Sequence, residues 1–513
     1  MRVAVYNAHW ATLGGGEQVS GGVAAALART HDVELLVSET FDPIVASERL
    51  GFDLTALPQV PIEHGTRAFL EASARYDLLV NTSFGSTFAS LAPRSLYYVH
   101  FPMPNAIRSP LAAATWPFAS IDPLAHWVER EHGFWLREFS GNGSWTKGDA
   151  TIDLVIPRGV RLPFSLTLSA RAWPVGRTPH ATVRIADDTV FDGPVSRTRR
   201  VPIHTVVVGR GVDDPIPVRV VSDTFEPRIE SGLHDDRRLG VVVSHVALGR
   251  RLPGVRPQGV AALAKLSTGA FDPEFLESYR HVVANSPYTA EWVEELWGRP
   301  ATVLAPPVRL RAPGPKQPVI LAVGRFFPNV SGHSKKQLEL VEAFRLAHER
   351  GLDGWELHLV GGCNNSERGY VETVRKAAVG LPVRFHVNAR GEDLAELFAS
   401  ASVFWHGAGF GEDLQTHPDR FEHFGISVVE AMSAGAVPVV YEHGGPAAIV
   451  RDAGCGEVFA TLDELATTTL ALVRDDARRE RLATTARARA EEFAYDRFAD
   501  RLHALVDTMT VPS

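Results

Sequence analysis

Cysteine is nearly absent: Cys363 and Cys455 are the only two among 513 residues. That excludes a disulfide framework and a cysteine-built zinc site, and it suits a reducing compartment. A basic excess is missing too. Lys and Arg number 52 against 60 Asp and Glu, a formal net charge of −8, which is the wrong sign for a surface that tracks nucleic-acid phosphates. No uninterrupted apolar run approaches the roughly 18–20 residues of a membrane span, so any membrane contact would be peripheral. The opening MRVAVYNAHW lacks the basic start and apolar core of a signal peptide and reads as a first strand. The expected location is the cytoplasm, at most the inner face of the membrane.

What is present is enough chain for two or three cores. Residues 2–6 and 33–37 read as strands flanking a glycine break at Gly14, Gly15 and Gly16 and an Ala-rich helix over 18–29. Strands over 76–81 and 95–100 continue the pattern, and strands alternating with helices imply a parallel, doubly wound sheet. From about 132 to 227 the texture changes to short alternating strands with Gly, Pro and Asp turns, as in TIDLVI, FSLTLSARAW and PVRVVS, which suggests a β-sandwich-like insertion. GVVVSHVAL at 240 reads as the return of the α/β pattern. A Pro-rich connector, LAPPVRLRAPGPKQP, separates it from a second α/β unit with strands at 319–323, 356–360, 383–386, 403–405 and 437–441. The expected domains are 1–132 with 228–306, an insert over 133–227, a second Rossmann-like domain over 307–490, and a helix over 491–513 crossing back to the first domain. Between two such sheets lies a cleft at the carboxyl ends of the strands, where ligands of these folds bind.

Candidate chemistry concentrates in FEHFGISVVEAMSAGAVPVV. Glu422 and Glu430 bracket the start of a helix whose free N–H groups favour anions. Ser427-Val-Val-Glu430 also fits a capping box. A phosphate at that helix start, with a carboxylate on either side along the chain, suits a ligand with phosphates in its middle and hydroxyl-rich sugars at both ends. The strand VILAV ends at Gly324-Arg325, and Lys335-Lys336 follow ten residues later, supplying cations where a phosphate would sit. Surface residues of the same types are the alternative for that Arg and those lysines.

These residues carry a resemblance. GRF at 324–326 with Lys335, FWHGAGF at 404–410, EHFGISVVEAMSAGAVPV from Glu422 and GGP at 444–446 resemble the retaining, nucleotide-sugar-dependent GT-B glycosyltransferases of family 4, which include mannosyltransferases and sucrose synthases. GGGE at 14–17, YYVHFP and VVANSPYTAEWVEELWG extend the likeness into the first domain, over about three quarters of the chain with the β-rich segment left out. The resemblance implies an α/β GT-B architecture and a set of roles. Glu422, with the backbone of His423, Phe424, Gly425 and Ile426, would hold the donor sugar, and Glu430 the ribose. Arg325 and Lys335, beside Gly324, would bind the diphosphate and stabilise its departure, and His100 would contact the sugar or position the acceptor. Gly14 to Gly16 would let backbone approach phosphate or acceptor. GGPAAIV departs from the pattern, with Ala447-Ala448 where many members carry an acidic residue.

A glycoside hydrolase also uses two carboxylates, yet its leaving group needs a proton rather than cations. Retaining transfer from a nucleotide-diphosphate sugar therefore fits better, with attack on the face the diphosphate leaves and without metal ion or cofactor. Mannose is the favoured sugar, and a glycan or lipid-linked glycan the acceptor, in carbohydrate biosynthesis. A non-catalytic sugar-binding scaffold, with Trp145 and Trp173 of the insert stacking on sugar rings, and another GT-B reaction such as phosphorolysis remain as alternatives. The Pro- and aromatic-rich 102–127 would line an acceptor groove or touch a membrane, or simply cover the sheet.

Overall fold

The computed structural model describes residues 1–62, 66–102, 128–134, 144–154, 164–172, 178–196, 201–207, 216–226, 238–249, 273–328, 334–364, 367–389 and 391–509. Two parallel sheets frame the molecule. The first runs, edge to edge, Thr302–Val303, His281–Ala284, Arg94–Val99, Leu78–Asn81, Arg2–Asn7, Asp32–Val37 and Gln59–Pro61. Its strands are near-continuous apolar runs because both faces are covered. On one face Val3, Val5, Leu35 and Leu78 pack against Val23 and Leu27 of the helix Gly15–Ala28. On the other, Ala4, Tyr6 and Tyr97 meet Phe69, Tyr279 and Trp297. The chain leaves the central strand Arg2–Asn7 first toward one edge and later toward the other, so a crevice opens where Arg2–Asn7 and Leu78–Asn81 end side by side.

The second sheet has the order Val383–Val387, Glu356–Gly361, Gln317–Val323, Ala401–His406, Val437–Tyr441 and Glu457–Phe459, all parallel. Its reversal falls between Gln317–Val323 and Ala401–His406, which places the ends of both strands, Gly324-Arg325 and His406-Gly407, at one crevice. This is the doubly wound pair of domains expected from the alternation of strands and helices.

The antiparallel strands lie in the chain between Arg94–Val99 and His281–Ala284, which are neighbours in the first sheet. They extend from Val128–Phe134 to Val242–Gly249, so the expected boundaries of 133–227 are too narrow at both ends. GVVVSHVAL is corrected accordingly: it pairs antiparallel with Phe164–Arg171, since an apolar run alone does not distinguish the two sheet types. Asp192-Gly193 lies inside the strand Asp188–Pro194. The sheet curls through Ser144–Leu154, whose start pairs with Val242 and Val243 and whose remainder pairs with Ile216–Ser222. Trp145 is buried with Phe225, Leu239 and Val242, so it forms core and not an open stacking platform.

The C-terminal part of the chain forms two helices, Asp476–Glu491 and Tyr495–Asp507. They break where the chain passes the interdomain connector, at the Val308 N–H to Phe493 carbonyl bond of 2.9 Å. The second helix packs Phe498, Leu502 and Val506 into the first domain's core. Arg29 pairs with Asp496 at 2.9 Å there. Among the described residues no helix is long and apolar enough to cross a membrane.

Candidate active site

The helix Ile426–Ser433 begins at Gly425, whose φ of 96° turns the chain sharply out of the preceding loop. One face of the helix, Val428, Val429, Ala431 and Met432, is fully buried, which holds its start rigidly at the crevice. The amides of Phe424, Gly425, Ile426 and Ser427 donate no hydrogen bond to another described residue. Four backbone donors at a helix start form a ready anion site.

Glu422 lies just ahead of these donors. Its Oε2 accepts from Lys335 Nζ and lies 2.9 Å from His406 Nε2. Lys335 follows the second sheet's first strand in sequence, His406 ends the fourth, and Glu422 lies on the loop leading to the helix; the topology brings all three to one point. Lys336 faces elsewhere. Its side chain is buried, with Nζ 2.6 Å from Glu412, and the other oxygen of Glu412 accepts from Arg420 at 2.9 Å. Of the two lysines, the first therefore meets the site carboxylate, and the second ties the loop after His406 to the base of the helix Gln337–Glu349. Despite its burial, Glu412 stays below the usual carboxylate range because Lys336 and Arg420 both bond it. Arg325 is more than half exposed and pairs with Glu367 at 2.5 Å, whose other oxygen accepts from the Asn364 amide at 2.8 Å. Gly324 packs directly on the Lys335 side chain; a Cβ there would come within 2.4 Å of its Cγ.

Glu430 is no capping residue. The helix starts at Ile426, so Ser427 lies inside it and bonds the Val323 carbonyl at 3.5 Å. Glu430 instead accepts from Arg311 Nε and Nη2 at 2.9 and 2.5 Å. Burial pushes its pKa up, against the pull of Arg311.

The first domain closes over this loop. Gly14 caps the helix Gly15–Ala28, so the expected glycine break is a helix start with Gly15 and Gly16 in its first turn. Glu17, the last residue of GGGE, accepts from the Gly14 amide at 2.7 Å and the Thr12 hydroxyl at 2.6 Å. A Cβ on Gly15 would touch Ile426 at 3.7 Å, and one on Gly16 would touch the His100 ring at the same distance. His100 Nε2 is 2.8 Å from the Thr82 carbonyl, and burial lowers its pKa. The neutral ring thus donates from Nε2 and keeps Nδ1 as an acceptor. Ser286 donates to the His423 carbonyl at 2.5 Å, and Tyr288 to the Pro418 carbonyl at 2.8 Å. The His423 ring stacks on Phe101, centroids 4.2 Å apart. The His423 carbonyl is thus engaged with the first domain, leaving N–H groups as the loop's offering to a ligand.

Desolvation in the closed cleft pushes the His423 pKa down to about 4, outweighing the neighbouring Glu422. An unfolded histidine titrates near 6.5. The neutral ring's contribution is therefore complete above about pH 6.5 and is lost as pH falls toward 4, on the order of 2–3 kcal/mol in all. Melting temperature is expected to fall across that window less steeply in His423→Phe, which keeps the stack on Phe101, than in wild type; parallel pH profiles would remove His423 as the cause.

Signals for the remaining neighbours were weak. Glu412 and Glu367 lie in a loop and at a helix start, Arg311 in the connector, and Ser286 and Tyr288 at the cap and in the first turn of the helix Pro287–Trp297, and only the topology reveals their partners. Trp173 and residues 103–127 lie outside the described residues.

Residues 311–489 match the family model of glycosyl transferases group 1. A GDP-Man:Man(3)GlcNAc(2)-PP-Dol alpha-1,2-mannosyltransferase of Dictyostelium discoideum is 28% identical over 206 residues, 36% of this chain and 38% of that protein. Its counterpart in Xenopus laevis is 34% identical over 94 residues, 18% of this chain and 17% of that protein. The match thus spans well under half the length of either relative. Among solved structures, Anabaena HepE in complex with UDP aligns with a TM-score of 0.52 at 13% identity, over 99% of this chain and 100% of that one. Sucrose-phosphate synthase from Thermosynechococcus elongatus gives 0.51 at 14%, over 99% of each. The fold is GT-B.

Proposed function

We propose that the protein is a retaining glycosyltransferase that moves a sugar, mannose by preference, from a nucleotide-diphosphate sugar to a glycan or lipid-linked glycan. The observation that carries this reading is the convergence of Lys335 and His406 on Glu422 beside four amides at a helix start that donate to no other described residue. A diphosphate at those amides would meet Lys335 at once, and Arg325 after exchanging Glu367 for a phosphate oxygen. Charge that grows on the leaving diphosphate is then met by groups already in place, the preorganised stabilisation that usually contributes most. In this reading no metal ion is needed for that role. Glu422 would hold hydroxyls of the donor sugar and Glu430 the ribose diol. The acceptor hydroxyl would attack the anomeric carbon on the face the diphosphate leaves. The new glycosidic bond forms as the bond to phosphate oxygen breaks, and that oxygen takes the hydroxyl proton. His100 Nδ1 would accept from a sugar hydroxyl. The mannosyltransferase relatives support mannose and a lipid-linked acceptor, which would be met at a membrane surface without a spanning helix.

Calorimetric titration with UDP, GDP, ADP and their common sugar conjugates tests the reading, with Glu430→Ala as control. Selective binding of one nucleotide, lost in the control, is the expected result. Retention would then appear as an unchanged anomeric configuration in the product by proton NMR. Binding of none would return the weight to a scaffold.

A further inference from the structure

The interdomain connector places the Arg311 guanidinium on Glu430. Arg311 donates from Nε and Nη2 to the same atom, Glu430 Oε1, at 2.9 and 2.5 Å, and both side chains are largely buried, 16% and 13% exposed. Glu430 Oε2 receives no hydrogen bond from any described residue, yet it is not sealed from solvent. Arg311 is itself held. Its amide donates to Ser433 Oγ at 2.8 Å, Ser433 Oγ donates to the Glu430 carbonyl at 2.7 Å, and its guanidinium lies 5.4 Å from the Phe398 ring centre. The helix carrying Glu430 turns Ile426, Ser427 and Glu430 to one side, as spacings of three and four residues require. Ile426 on that side meets the Gly15 turn of the first domain. Glu430 therefore sits one turn deeper along the same cleft, toward the connector, with one oxygen occupied and one open.

We propose that Arg311 is a positioning residue for nucleoside recognition: it fixes Glu430 in one rotamer, with Oε2 presented to the 2′- and 3′-hydroxyls of a nucleoside diphosphate. The inference rests on the reading of Glu430 as the ribose ligand. A carboxylate held in this way accepts from a diol without rearranging, and it discriminates against a sugar lacking a hydroxyl because its oxygen, covered by the bound nucleoside, is then left unpaired. A purely structural ion pair would contribute to folding and leave that discrimination untouched. Because the cation comes from the connector between the domains, nucleoside recognition and the connector share one side chain.

The test compares affinities of UDP and GDP with those of their 2′-deoxy counterparts, by calorimetry, in wild type, Glu430→Gln, Arg311→Met and Arg311→Lys. Wild type is expected to favour the ribonucleotide by about tenfold or more, and Glu430→Gln to remove that preference. Arg311→Met keeps an unbranched apolar stem over Phe398 and is expected to bring the ratio near one, with inorganic pyrophosphate affinity unchanged. Arg311→Lys, with a single point charge in place of the fork, is expected to fall between and serves as the folding-safe variant. A preference lost in Glu430→Gln but intact in both Arg311 variants would overturn the inference and leave the ribose role of Glu430 standing. A wild type without preference would overturn both.

Discussion

Glu422→Gln is expected to lower transfer from whichever donor the wild-type protein binds by on the order of a hundredfold or more in kcat/KM. The change is isosteric, so the loop keeps its shape, but the amide brings two donors where Lys335 and His406 both need an acceptor. Lys335 then loses the partner that aims its Nζ, and the donor sugar loses a full negative charge as hydrogen-bond acceptor. Affinity for the free nucleoside diphosphate should change by no more than a few fold, because the amides of Phe424 to Ser427 and Arg325 are untouched. Melting should shift by no more than about 5 °C, given that a kilocalorie moves a chain of this size by about 2 °C. Steady-state kinetics beside a melting curve checks this. Full specific activity in a protein that melts far lower would make Glu422 a structural ion-pair member and take the centre out of the proposed mechanism.

The sequence exposed this much of the site because its signals are local. The order of strands and helices follows from apolar runs and glycine breaks, and parallel sheets leave their ligand crevices at strand ends, so Gly324-Arg325 and the loop before Ile426–Ser433 could be placed together without coordinates, whereas the part of His406 shows only in its contact with Glu422. The two-sheet GT-B frame was legible for the same reason. What stayed hidden depends on pairings across long sequence separations. Nothing near Glu430 in the chain announces Arg311, 119 residues away, and local spacing suggested a capping box that the actual helix start excludes. Register to the following helix favoured Lys335 over Lys336, but the partner of Lys336 was not legible: its backbone, at φ 59° and ψ 38°, sits in the left-handed region, and its side chain meets Glu412. The edges of the antiparallel module failed for a third reason. Val242–Gly249 is as apolar as a parallel core strand, and only its partner defines its sheet.

Gly445→Ala should combine a loss of stability with a loss of activity at a residue that touches no ligand in the proposed mechanism. GGP is the part of the pattern most easily passed over as a turn, yet it forms the wall behind the Glu422 loop. The Gly445 amide donates to the Glu422 carbonyl at 2.7 Å. A Cβ on Gly445 would stand 2.2 Å from the His423 carbonyl oxygen and 2.7 Å from Phe424 Cα. Those are backbone atoms that no rotamer change can move aside. Relief requires the loop to shift by an ångström or so, at a cost of about 1–3 kcal/mol and on the order of a hundredfold in turnover, the typical consequence of misplacing a reacting group by that distance. Gly369→Ala is the matched control. It lies in the helix Arg368–Ala377, no atom stands within 4 Å of its added methyl, and alanine is the better helix former, so it should melt at or slightly above wild type with unchanged turnover. If Gly445→Ala matched the control in both measurements, the loop would be softer than its contacts indicate, and the precise placement of Glu422 would not be what the GGP turn provides.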